Sequence, residues 1–257
     1  MKNMLAVVYS TYVYLVFFLF VPVALVYYFA ASLLPGRNRL LVIYRFNRIW
    51  VGAWEFLTGI RFVVHGSDLP DPRQTYVFTP NHSNILDVLI MGSRIQHAFR
   101  SLMKRELFRI PFMGWLFGKL CIPVDRSSKE SRKQSLYAMV DHLRRGVSVL
   151  VFPEGTRNRS ETPLKSFYDG AFNVAIAAQV PVLPMVVVNS RDLQPVDSML
   201  FYPGTATLHI LQPIPTTGMT EADVPRLRNM TYECMETAIT TYDARFQQWS
   251  PGSVSLG

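Results

Sequence analysis

The sequence is poor in cysteine: Cys121 and Cys234 are its two, and they stand far apart. No Cys-x-x-Cys pair exists, so neither a zinc site nor a disulfide framework is indicated, and both read as buried thiols. A Gly-x-Ser-x-Gly elbow is missing as well, which disfavours a covalent serine hydrolase. There is no repeat and no low-complexity stretch. The net charge of +8 comes without a helix-turn-helix, zinc-finger or RNA-binding signature, so no nucleic-acid partner is expected.

The most telling absence is charge near the N-terminus. From Asn3 to Gly36 there is no Asp, Glu, Lys, Arg or His. Such a run exceeds the roughly 20 apolar residues that cross a hydrocarbon core. It also exceeds the roughly 7–15 residues of a signal-peptide core, so it reads as a retained membrane element. Pro22 falls in its middle and is expected to kink or break the helix, since proline lacks an N–H and clashes with the preceding turn. One tilted span and a half-buried helical pair both remain open. In the second case residues 39–57, with Arg39, Arg45 and Arg48 among aromatic and aliphatic residues, form an interfacial second helix. The basic residues after the apolar run place the rest of the chain on the cytoplasmic side. The division that follows is 1–58 as membrane-anchoring helices, 59–249 as the catalytic domain and 250–257 as a flexible tail.

Past the anchor, short β-rich runs alternate with helical patterns. Strands are expected at 61–66, 75–79, 98–103, 120–124, 147–152, 182–188 and 205–211. Residues 182–188 and 147–152 are near-continuously apolar, the mark of strands covered on both faces. Leu136, Met139, Val140 and Leu143 fall at helical spacing within 129–145. Residues 171–179 read as a further helix. Leu227, Met230, Cys234, Ala238 and Tyr242 trace one face of a last one. The fold class is α/β, a mixed, mostly parallel sheet flanked by helices, with strand-end loops carrying the chemistry.

Two such loops hold the candidate site. Asn81-His82-Ser83-Asn84 leaves one apolar run, and Asp87 follows within a helical pattern. If Ser83 or Asn84 caps that helix, the chain turns there and Asp87 can accept a hydrogen bond from the His82 ring. One imidazole nitrogen is then fixed and the other is left to take a proton. The ordinary alternative is a cap, a core-satisfied histidine and a solvated aspartate. His65, His97, His142 and His209 lack such neighbours and read as structural or surface residues. The second loop is Glu154-Gly155-Thr156-Arg157. Gly155 permits a tight path, and Arg157 offers a planar fork for phosphate. The commoner meaning of such a run is a turn with a surface ion pair. Lys104, Arg105, Arg126, Arg159 and Lys165 add cations near the same strand ends.

Four blocks in order resemble the glycerolipid acyltransferases, specifically the 1-acylglycerol-3-phosphate acyltransferase family, over residues 62–188. They are His82-x4-Asp87, Lys104 to Arg126 around Pro111-Phe112-Met113-Gly114, Phe152 to Arg157, and Val180 to Pro184. The resemblance implies His82 as general base and Asp87 as its orienter. It implies Lys104, Arg126, Glu154, Gly155, Thr156 and Arg157 at the acceptor phosphate, and an acyl site near 180–184. It implies transfer from acyl-CoA or acyl carrier protein to the free hydroxyl of lysophosphatidic acid, giving phosphatidic acid, with no covalent intermediate, metal or cofactor. One departure stands out: the family's Phe-Lys-x-Gly-Ala run is here Phe167-Tyr168-Asp169-Gly170-Ala171. Another lysophospholipid or a lyso-aminolipid is therefore the alternative acceptor. A His-Asp hydrolase and a non-catalytic membrane-binding protein are the readings from other classes. The short single-domain layout looks bacterial, so the expected location is the inner membrane with the catalytic domain facing the cytoplasm.

Overall fold

A computed structural model describes residues 2–110, 113–125 and 127–249. Arg126, Pro111, Phe112 and the expected tail 250–257 lie outside the described residues. The seven strands are β1 (Ile60–His65), β2 (Val77–Pro80), β3 (Phe99–Lys104), β4 (Cys121–Val124), β5 (Ser148–Leu150), β6 (Val182–Val188) and β7 (Gly204–Ile210). They form one sheet in the order β1-β7-β6-β2-β5-β3-β4. From β6 to β4 every neighbouring pair is parallel. β7 runs antiparallel to β6 and parallel to β1. The mixed, mostly parallel α/β sheet expected from the sequence is the observed fold.

Helices cover both faces. α2 (Gly36–Thr58) and α3 (Ile85–Arg94) pack with Phe62, Phe78, Leu183 and Leu208 on one side. On the other side α5 (Lys129–Arg144), α6 (Gly170–Ala178) and α8 (Val224–Tyr242) close over Val77, Val149, Val182 and Val186. All seven residues of β6 are buried, as its unbroken apolar run demands. Strand β7 alternates buried and partly exposed positions, matching its alternating sequence. The apolar segment near 113–117 resolves as α4 (Met113–Leu120).

Two expectations are corrected here. α1 (Lys2–Ala31) runs unbroken through Pro22. Proline removes one intrahelical donor, but the helix is supported from the side along much of its length. It lies antiparallel to α2, with the Tyr9 hydroxyl donating to the Thr58 carbonyl (2.7 Å) and Tyr12 to Leu57 (2.9 Å). At the other end Tyr28 bonds Asn47. Residues 4–31 form a helix long and apolar enough to cross a membrane, and much of that surface is exposed, including Leu15, Phe18, Leu19 and Val26. Yet Val13 and Val16 are buried in the same cluster as the sheet, so this helix is also part of the folded body.

The second correction concerns α8. Its buried face is Val224, Leu227, Thr231, Met235, Ala238 and Ile239, rotated from the stripe read off the sequence. Thr231 can be buried because its hydroxyl donates to the Leu227 carbonyl within the helix (2.8 Å). Cys234 is consequently only half-buried, not buried like Cys121.

Candidate functional site

Neighbouring parallel strands end at one edge of the sheet, and the two motif loops leave from there. β2 ends at Pro80. Asn81 then extends its pairing with β6 through a side-chain amide, which donates to the Val187 carbonyl (3.0 Å) and accepts from the Val187 N–H (2.7 Å). This fixes the point at which the chain leaves the sheet.

His82 follows. Its backbone N–H donates to Glu154 Oε1 (3.0 Å), and its carbonyl accepts from the Asn158 N–H (2.6 Å). The imidazole stacks on Phe152, with ring centres 4.1 Å apart. Asn84 caps α3, accepting from the Leu86 N–H (3.0 Å). The expected turn before the helix is therefore present, and it brings His82 Nδ1 to 3.1 Å from Asp87 Oδ2.

Asp87 has no exposed side-chain surface, and its carboxylate is surrounded by donors. Oδ2 also accepts from the Ser83 N–H and the Asn84 N–H (2.9 Å), while Oδ1 accepts from the Ser190 hydroxyl (2.9 Å). A carboxylate held by several N–H and O–H groups has little freedom to rotate. The His82 side chain keeps 14% of its surface open, so the dyad has one buried and one accessible member.

The second loop is built around Glu154, which is 1% exposed. Besides His82, its carboxylate accepts from the Lys165 N–H through Oε2 (2.9 Å). One side chain thus ties the histidine segment to the far side of its own loop. Burial pushes this carboxyl up to about 7, against the pull of those two donors. Gly155 takes a left-handed conformation (φ +70°), and a Cβ there would lie 2.8 Å from the Tyr168 ring. Glycine is required twice over, by backbone and by space. Replacing Gly155 with alanine is expected to lower the unfolding free energy by about 1–2 kcal/mol. Chemical unfolding would show it.

Thr156 and Arg157 follow at the surface, both exposed. Arg157 makes no hydrogen bond or ion pair with another described residue. Lys104, at the end of β3, is exposed and pairs with Glu106 (3.3 Å). Of the other cations, Arg159 is paired with Asp197 (3.1 Å) and Arg105 reaches Ser131 (3.3 Å). The side chains at the departure point also differ in use: Tyr168 lies against Gly155, and Asp169 pairs with Arg228 (2.8 Å). Among the described residues no group of three or more His, Cys, Asp or Glu side chains could hold a metal.

The other histidines sit elsewhere. His97 bonds the Asp71 carbonyl (3.0 Å), and His65 stacks on His209, which stacks on Tyr242. Sequence reasoning missed Phe152 as a platform, Asn158 as a backbone donor, and the pair Ser190 and Arg191. Arg191 is nearly buried and carries no motif around it.

The general acyltransferase family model matches residues 61–188. The human protein named 1-acyl-sn-glycerol-3-phosphate acyltransferase alpha is 36% identical over 71% of this chain and 65% of its own length. The human beta form is 31% identical, covering 73% of this chain and 68% of that protein. The Salmonella typhimurium 1-acyl-sn-glycerol-3-phosphate acyltransferase is also 31% identical, over 65% and 68%. The chain thus spans about two thirds of the length of these relatives. A solved structure, the lysophosphatidic acid acyltransferase PlsC of Thermotoga maritima, superposes with a TM-score of 0.78 over 98% of this chain and 100% of that one. At 22% identity that likeness speaks for the fold alone. With the His-x4-Asp and Glu-Gly-Thr-Arg loops at one sheet edge and relatives of this identity, the chain belongs to the acyltransferase family.

Proposed function

We propose that this protein transfers a fatty acyl group from a thioester donor, acyl-CoA or acyl carrier protein, to the free hydroxyl of lysophosphatidic acid. The product is phosphatidic acid. The observation that carries the reading is the His82–Asp87 contact at 3.1 Å, one partner open to solvent and the other sealed. In this scheme Asp87 holds Nδ1–H, so Nε2 takes the proton of the attacking hydroxyl. The hydroxyl oxygen bonds to the thioester carbon. As the tetrahedral adduct collapses, the carbon–sulfur bond breaks and the thiolate leaves with the proton carried by the imidazolium. No covalent acyl-enzyme forms.

Arg157, exposed and unpaired among the described residues, is the first anion contact for the acceptor phosphate. Lys104 and Arg126 are assigned to the same phosphate. Glu154 and Gly155 hold the loop that presents Thr156 and Arg157. The exposed apolar surface of α1, beside the basic residues of α2, suits a bilayer with the catalytic part on its cytoplasmic side. An inner bacterial membrane is the location this reading favours.

A second acceptor class is favoured by one observation. Tyr168, an exposed aromatic ring against Gly155, stands where the family pattern carries a lysine, and the carboxylate of the next residue, Asp169, is already paired with Arg228. A lysophospholipid with a larger head group, or a lyso-aminolipid, would tolerate fewer cations there. The test is one labelled acyl donor against a panel of lyso-acceptors. Lysophosphatidic acid is expected to give the highest kcat/KM. A preference of tenfold or more for another head group would replace the first reading with the second. Labelled free fatty acid released without acceptor would point to hydrolysis instead.

A further inference from the structure

The turn after β6 joins the dyad from behind. Asn189 adopts a left-handed conformation (φ +62°) and starts the short helix α7 (Ser190–Leu193). Consecutive side chains then reach the two halves of the site. The Ser190 hydroxyl donates to Asp87 Oδ1, and this is the oxygen that the His82 loop leaves unoccupied. The Ser190 carbonyl also accepts from the Asn84 amide (2.8 Å), so the cap of α3 is tied to the same turn.

Arg191 reaches three groups. Nε donates to Ser83 Oγ (3.2 Å), Nη1 to the Ser160 carbonyl (2.8 Å) and Nη2 to the Asn158 carbonyl (2.9 Å). Its guanidinium also lies over the Phe246 ring. Ser83 adjoins His82, and Asn158 is the residue whose N–H holds the His82 carbonyl. A planar fork with fixed donors is the side chain that can tie three acceptors on two separate loops.

We propose that Ser190 and Arg191 are positioning residues: Ser190 holds the rotamer of Asp87, and Arg191 holds the His82 and 154–160 loops in register. The assignment rests on the proposed acyl transfer for its kinetic test. Neither residue needs to touch substrate. Without Ser190, Asp87 Oδ1 would sit buried with no donor, and the bonds at Oδ2 alone would hold the carboxylate toward His82.

The experiment compares Ser190→Ala, Ser190→Thr and Arg191→Lys with the wild type in membranes. Ser190→Ala is expected to lower kcat about tenfold while leaving KM for donor and acceptor unchanged. Ser190→Thr, which keeps a hydroxyl, restores most of the rate. Arg191→Lys is expected to remain impaired, because one ammonium cannot span three acceptors, and to raise KM for the acceptor through the loop that carries Arg157. A second readout needs no turnover: ¹⁵N ring shifts of His82, assigned by loss of its signals in His82→Gln. The wild type should show the Nδ1–H tautomer and Ser190→Ala a mixture. A pure Nδ1–H tautomer with unchanged kcat in Ser190→Ala overturns the inference, as does equal loss in the Ala and Thr variants. If the wild type acylates no lysophospholipid, the proposed function falls, and the tautomer comparison alone still decides the positioning roles.

Discussion

Replacing His82 with alanine is expected to lower the initial rate of labelled acyl transfer by a factor of about 10² to 10⁴. Protein level in the membrane and unfolding behaviour should stay close to those of the wild type. The ring contributes a stacking contact with Phe152 and one hydrogen bond, while the anchoring of this segment is by its backbone, through Glu154 and Asn158. Alanine keeps that backbone and removes the proton acceptor. Asp87→Asn is the companion variant. Ser190 can turn its hydroxyl to accept from an amide, and the remaining amide oxygen can still receive the Ser83 and Asn84 N–H groups, so the cap of α3 survives. What is lost is the negative charge that stabilises the imidazolium as the hydroxyl proton arrives. A comparable loss of rate is therefore expected with only a modest loss of stability. Undiminished transfer by either variant would remove the general-base scheme.

Replacing Glu154 with glutamine should be far from conservative. Both carboxylate oxygens accept an N–H, one from His82 and one from Lys165. Glutamine supplies one oxygen and turns an NH₂ toward the other donor. The unmet buried N–H costs about 1–3 kcal/mol. It also frees either His82, the proposed general base, or the loop that presents Arg157, so kcat is expected to fall at least tenfold. The wild-type carboxyl adds a pH dependence that the amide lacks. Burial raises it from 4.5 to about 7, so in that interval the folded protein keeps a proton that the unfolded chain has released. The associated stability is complete below about pH 4.5, declines as pH rises toward 7 and is gone above it. Measured by denaturant unfolding, the difference between wild type and Glu154→Gln should shrink by on the order of 3 kcal/mol across this window. A difference that grows with pH would mean that the two N–H donors outweigh burial.

The parts of the site that could be read from the sequence are those whose chemistry lies in short spacing. His82 and Asp87 meet because Asn84 is a good cap, and a cap is a local property. The strands of the sheet's centre were legible because residues covered on both faces must all be apolar, as in β6. Ser190 and Arg191 were not legible. Their meaning comes from a left-handed turn at Asn189 and from partners on other strands, which no local pattern encodes. The buried face of α8 was misread because Thr231 satisfies its own hydroxyl inside the helix, so polarity misreported burial. Pro22 is expected to kink or break α1 because it lacks an N–H and clashes with the preceding turn, yet the helix continues through it. Tertiary support from α2 outweighs one missing donor there.

The place of β6 in the sheet has a consequence for biosynthesis. It lies between β2 and β7, so β2 lacks one of its two neighbours until residue 188 has been made. A nascent chain emerging from the ribosome presents the greasy helix α1 more than a hundred residues before the last piece of the histidine–aspartate pocket. If α1 enters a bilayer as proposed, attachment to a lipid surface precedes assembly of the proposed reactive centre, and a half-made polypeptide would be tethered before it could act on anything.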